Sequence, residues 1–126
     1  MADRGKSGLE FGVLGPLQVL ADGRQLVIGR KGMRGLLAML VLEANRVVPI
    51  DEIVDSLWAD EPPATARTIV HGYVSRLRRM LEEADPAGSA RILTTPPGYQ
   101  LSVDPWRLDF HRARQLVSSA RGKPAP

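Results

Sequence analysis

The feature that most restricts how this chain folds is the stretch from Ala64 to Leu81, whose chemistry separates by helical angle. With residues about 100° apart, Ile69, Val70, Tyr73, Val74, Leu77, Met80 and Leu81 gather on one side of a helix. Arg67, Thr68, His71, Gly72, Ser75, Arg76, Arg78 and Arg79 gather on the other. The stretch holds four arginines and neither Asp nor Glu. A helix anchored by its apolar side, with only Arg, His and small polar groups on its free side, suits a negatively charged groove. That chemistry points to double-stranded DNA.

The preceding segment has the opposite sign. Asp51 to Glu61 carries five acids (Asp51, Glu52, Asp55, Asp60 and Glu61) and no base. Adjacent elements of opposite charge suggest two contact surfaces; the plainer alternative is a pair of solvated helix faces that assist each other by proximity. Net charge is only +3, so the location of charge matters more than its sum.

At 126 residues, 44% hydrophobic and 25% charged, the chain suits one globular domain with a modest core. Its longest apolar run, Leu36 to Leu42, is too short to span a bilayer. Met1 to Gly8 is polar and lacks the apolar stretch of a signal peptide. The absence of cysteine excludes disulfides and thiolate metal sites and fits a cytoplasmic protein. The two histidines, His71 and His111, are remote in sequence and offer no metal set. No Ser/His/Asp grouping, paired-carboxylate pocket or Walker-type phosphate loop is present, so neither catalysis nor a cofactor is expected.

Residues 9–29 alternate as short antiparallel strands. Leu9, Phe11, Val13 and Leu14 form a first strand broken at Gly15-Pro16, and Leu17, Val19 and Leu20 form a second. Asp22-Gly23 is a hairpin signal, and Gln25 to Ile28 returns as a third. Gly32 to Asn45 is helical, with Met33, Leu36, Leu37, Leu40, Val41 and Ala44 inward and Asn45 as the stop. Val47-Val48 is extended up to Pro49; Asp51 then caps a helix over 52–58, with Ile53, Val54, Leu57 and Trp58 inward. Pro62-Pro63 breaks the chain before the basic helix, which starts at Pro63 or Thr65 and ends at Asp85, Pro86 and Gly88. Ile92–Thr95 and Tyr99–Val103 make a closing hairpin around Pro96-Pro97-Gly98, Asp109 caps a last helix through Val117, and 121–126 is a disordered tail. The expected fold class is α+β: a winged helix-turn-helix with an N-terminal antiparallel sheet, three helices and a C-terminal hairpin wing.

At that point the sequence resembles the OmpR-type winged-helix DNA-binding domain found at the N-terminus of Streptomyces antibiotic regulatory proteins. The matching stretches are Phe11-Gly-Val-Leu-Gly-Pro-Leu17, the Leu36–Leu42 helix, Ser56-Leu-Trp58 with Glu61-Pro-Pro63, Val74-Ser-Arg-Leu-Arg-Arg79 and Pro96-Pro-Gly-Tyr99. Each is weak alone, but together they run in order over residues 10–103. The resemblance implies a bacterial transcriptional activator that binds promoter direct repeats and engages RNA polymerase. It places helix 64–82 in the major groove and hairpin 92–103 at the neighbouring minor groove. It also implies a contact between the polymerase sigma factor and Asp55, Asp60 and Glu61. The domain plan is then a flexible N-terminus over 1–8, a winged-helix domain over 9–104, and over 105–126 a linker with the start of a helical activation domain, as in a fragment of a longer regulator. Pairing on tandem sites follows the same pattern. Two departures stand out: the wing carries Thr95 where relatives often have a basic residue, and Gly72 lies in the exposed helical face.

Base reading is expected of Arg76, His71, Thr68 and Ser75, and phosphate clamping of Arg67 and Arg79. Gly72 lets the helix backbone approach DNA, and Thr94 and Thr95 reach phosphate or sugar from the wing. Arg78, near the apolar boundary, is expected to brace against Glu82. Tyr73, Trp58 and Tyr99 read as packing residues. Two rival readings remain. Val27-Ile-Gly-Arg-Lys-Gly32 resembles the Gly-x-x-Gly loop of KH domains, which clamp single-stranded nucleic acid, although strands precede it and Gly35 stands where an apolar residue belongs. A protein–protein interaction module using the charged faces is the other.

Overall fold

The computed structural model describes residues 8–12 and 17–108. Leu9–Gly12 (β1), Gln18–Ala21 (β2) and Arg24–Leu26 (β3) form an antiparallel sheet in that order. Leu9 lies opposite Ala21 and Phe11 opposite Val19, so the four inward residues stack in pairs and all are buried. Asp22 and Gly23 both have positive φ (+52° and +85°), as the tight turn between right-twisted strands requires. The Asp22 carboxylate accepts a hydrogen bond from the Gly8 N–H at 2.7 Å. β3 ends at Leu26, short of the expected Ile28, and Val27 is left 80% exposed. The expected extension of the first strand through Val13 and Leu14, the N-terminal residues before Gly8, and the last helix and tail beyond Leu108 lie outside the described residues.

The remaining elements are Lys31–Leu42 (α1), Val48–Pro49 (β4), Ile50–Leu57 (α2), Ala66–Ala84 (α3), Ala90–Thr95 (β5) and Gly98–Val103 (β6), followed by a 3-10 turn at Pro105–Arg107. Met33, Leu36, Leu37, Leu40 and Val41 of α1 are buried as their spacing dictates, while Ala44 falls just past the helix. Asn45, the expected stop, instead lies past the helix end, where Glu43 holds the cap position, and closes the turn that follows. Its φ of +67° lies in the left-handed region that asparagine tolerates. Its backbone N–H donates to Leu101 O at 2.7 Å, its side-chain N–H donates to Val103 O at 2.8 Å, and its side-chain oxygen accepts from Val103 N at 3.0 Å.

Asp51 does not cap α2. Pro49 holds the cap position without a side-chain bond, and Asp51 and Glu52 occupy the first turn, where carboxylates suit the positive end of the helix. α3 starts after Thr65 at the N-cap and ends at Ala84 with Asp85 at the C-cap, as expected. The Gly29–Gly32 stretch joins a strand to α1, not a helix to a helix, and the KH reading falls on that topology.

A second sheet, ordered β4-β6-β5, carries the wing. One core joins both sheets to the three helices; it includes Val70, Val74 and Leu77 of α3 and Ile92 and Leu101 of the wing. Asp85, the only buried charged side chain among the described residues, ends α3. The Ser89 hydroxyl and N–H both donate to its carboxylate and hold it below the usual carboxylate range. The Ser89 oxygen in turn accepts from Leu9 N at 2.9 Å, tying the end of α3 to β1. The fold is a winged helix of mixed α+β class, as expected. No helix of the described residues is long and apolar enough to cross a membrane.

Candidate nucleic-acid interface

α3 buries Ala66, Val70, Val74, Leu77 and Leu81, four of them at the i, i+4, i+7, i+11 spacing of one helical stripe. Tyr73, Ile69 and Met80 are half-buried at its edge. Opposite that stripe, Thr68, Gly72, Ser75 and Arg79 line the centre of the free face, and Arg67, His71 and Arg76 flank it. All seven are exposed, so the structure brings the recognition-helix candidates together on one accessible ridge.

One flank of this ridge is locked to its neighbours. Arg67 forms an ion pair with Asp51 of α2, both side chains remaining largely exposed at 61% and 75%. A pair so open contributes about 0–1 kcal/mol, and a phosphate can displace it. The His71 Nδ1 bonds the Tyr99 hydroxyl of β6, and the two rings meet edge to face with centroids 5.8 Å apart. Burial pushes the Tyr99 phenol above its ordinary value near 10, with Arg78 pulling the other way. Tyr99 packs into the sheet as expected, opposite Val48, and also secures α3.

Arg78 departs from expectation. It does not brace against Glu82; its Nε donates to Ile92 O at 2.8 Å, its Nη2 to the Thr94 hydroxyl, and its guanidinium lies 5.8 Å from the centre of the Tyr99 ring. The reason is position: residue 78 lies on the flank that meets β5, where a backbone carbonyl and a π-face offer a shielded seat that an exposed carboxylate does not. Arg78 therefore sets the spacing between α3 and the β5–β6 hairpin.

The other flank faces α1. A Cβ added to Gly32 would lie 2.7 Å from the Tyr73 hydroxyl oxygen, so the missing side chain is what admits the tyrosine against the first turn of α1. Arg76 follows Tyr73 by three residues and rises from the same side of α3.

On the wing, Thr94 is exposed with its hydroxyl engaged by Arg78, and Thr95 is half-buried. Asp55, Asp60 and Glu61 are exposed on α2 and the connection that follows it. A groove of about 910 Å³ runs between the first sheet and α1–α2; the titratable groups in its lining are Lys31 and Arg34, with no carboxylate or histidine. No group of three or more metal-ligating side chains occurs among the described residues.

Sequence reasoning missed three ties: Asp51–Arg67, His71–Tyr99 and Arg78 to β5. The first had a signal in the opposite charges of successive elements. The other two span 14 and 28 residues and depend on how the wing folds back, which no local spacing records.

A family model described as transcriptional regulatory protein, C terminal, matches residues 23–101. EmbR of Mycobacterium tuberculosis, a transcriptional regulatory protein, is 41% identical over 104 residues, covering 82% of this chain and 27% of EmbR. The regulatory protein AfsR of Streptomyces coelicolor is 39% identical over 121 residues, covering 94% of this chain and 12% of AfsR. The chain thus spans about a quarter or less of the length of these relatives. The structure of M. tuberculosis EmbR in complex with a low affinity phosphopeptide superimposes with a TM-score of 0.76 at 42% identity, over 82% of this chain and 27% of that one. The DNA-binding domain of E. coli CadC does so with a TM-score of 0.58 at 28% identity, over 69% of this chain and 79% of that one.

Proposed function

The chain belongs to the transcriptional regulatory protein, C-terminal family, as a winged-helix DNA-binding domain of the Streptomyces antibiotic regulatory type, and we propose that it reads a specific duplex sequence with α3. One observation carries the reading. The exposed side of α3 presents Arg67, Thr68, His71, Ser75, Arg76 and Arg79 with no carboxylate from residue 64 to 81, on a helix fixed along both flanks.

In this reading α3 enters the major groove with Gly72 allowing close approach, as nothing within 4 Å would meet a Cβ there. Arg76, His71, Thr68 and Ser75 read base edges. Arg79 clamps phosphate, and Arg67 joins it once Asp51 is displaced. Arg78 sets the angle at which Thr94 and Thr95 approach the adjacent minor groove. Asp55, Asp60 and Glu61 face a basic surface of the polymerase sigma factor. The chain acts in the cytoplasm without enzymatic activity, as part of an activator. Its DNA-binding unit is residues 9–104. Two copies occupy direct repeats about one helical turn apart.

The test is selection of bound duplexes from a random pool, repeated with Arg76→Ala. A bidentate contact to guanine is worth roughly 1–3 kcal/mol of discrimination. The expected outcome is relaxed preference at one base position with the rest of the selected sequence retained. Uniform weakening across all sequences removes Arg76 from the readers, and the absence of any selected sequence contradicts the proposal.

A further inference from the structure

The basic surface does not end with α3. Arg30, Lys31 and Arg34 fall within five residues around the start of α1, all three exposed. Arg30 holds the cap position and Lys31 the first helical one, with no acid in the first turn. Cations at this end of a helix oppose its dipole, an arrangement the fold alone does not favour. Arg34 donates to Ile28 O at 3.2 Å, but the side chains of Arg30 and Lys31 make no hydrogen bond or ion pair among the described residues. The tight seat of Tyr73 against Gly32 sets these cations beside the flank of α3 that bears Arg76.

We propose that Arg30 and Lys31 form a second phosphate-binding patch, which grips the duplex backbone on the side of α3 opposite the wing. The inference rests on the DNA reading of α3 and extends it: wing and patch would straddle the recognition helix, each holding one of the phosphate ridges that border the groove. Such contacts position the domain without reading sequence. Charge complementarity and continuity with the α3 face select DNA phosphate as the occupant. The sequence motif that raised the KH comparison thereby acquires a role in duplex binding.

The test uses the 126-residue chain and a duplex recovered by selection, with affinity measured against salt concentration. Each phosphate contact removed lowers the log–log salt slope by about one. R30A/K31A is expected to lower it by about two, weaken all duplexes alike and leave the preferred sequence unchanged. Arg24→Ala, a charge removed at the far end of β3, is expected to leave the slope alone. A wild-type slope in R30A/K31A, with steep salt dependence intact, overturns the patch and spares the reading of α3. An equal loss in Arg24→Ala also overturns it, because the effect is then that of net charge. Salt-independent binding by the unaltered chain sinks both.

Discussion

Gly98 lies where β6 passes β4, and a Cβ added there would come within 1.9 Å of the Val48 carbonyl oxygen. That atom is backbone and cannot rotate away, so any side chain must push β4 and β6 apart. The wing and the start of α2 both depend on this crossing, since Ile50 N donates to Pro97 O at 3.1 Å. Gly72 is the opposite case, a helical glycine with open space around it. We predict that Gly98→Ala loses about 2–3 kcal/mol of stability through overpacking, whereas Gly72→Ala gains up to about 1 kcal/mol from helix propensity. Urea unfolding of the two variants separates them; similar losses in both would contradict the packing described. If Gly72→Ala also binds its duplex more weakly while being more stable, the glycine serves close approach to DNA.

Among the elements, α3 is distinctive in being held from three directions. Arg78 and His71 tie it to the wing, Arg67 to α2, and Tyr73 to α1. A helix fixed in this way presents its side chains in one geometry, which would lessen the entropy lost if it entered a groove as proposed. The acids of α2 and of the connection after it differ in their partners. Asp51 pairs with Arg67, whereas Asp55, Asp60 and Glu61 form no ion pair among the described residues. Joint replacement of Asp60 and Glu61 by lysine is therefore expected to lower promoter-dependent transcription in a reconstituted polymerase assay while leaving duplex affinity within about twofold, the scale of a distant surface charge. Loss of affinity in step with transcription would remove the polymerase role from these residues.

At the scale of the molecule, much of the architecture is legible in local pattern. The period of α3, the alternation in β1, β2 and the wing, and the Asp22-Gly23 turn each announce their element, because each signal is confined to a few neighbouring residues. The candidate ridge was legible to the same depth: it consists of the residues that helical angle separates, except Arg78, which turns to β5. What remained hidden is long-range. Asn45 lies 58 residues from the β6 strand it completes, and Arg78 exchanges an expected partner four residues away for a carbonyl fourteen away. Both choices are made by packing. Asp51, expected as a cap, moved into the first turn because Pro49 had already taken the cap position.

The central claim is that the exposed ridge of α3, free of acids up to residue 81, meets the phosphates and base edges of duplex DNA. The most direct measurement is the affinity of the chain for a selected duplex across a salt series, with Arg76 and Arg79 intact and then both replaced by alanine. With about four to six phosphates neutralised, the log–log slope is predicted near −4 to −5, falling together with sequence preference in the double variant. A flat slope, or a steep one indifferent to the loss of both arginines, would contradict the account.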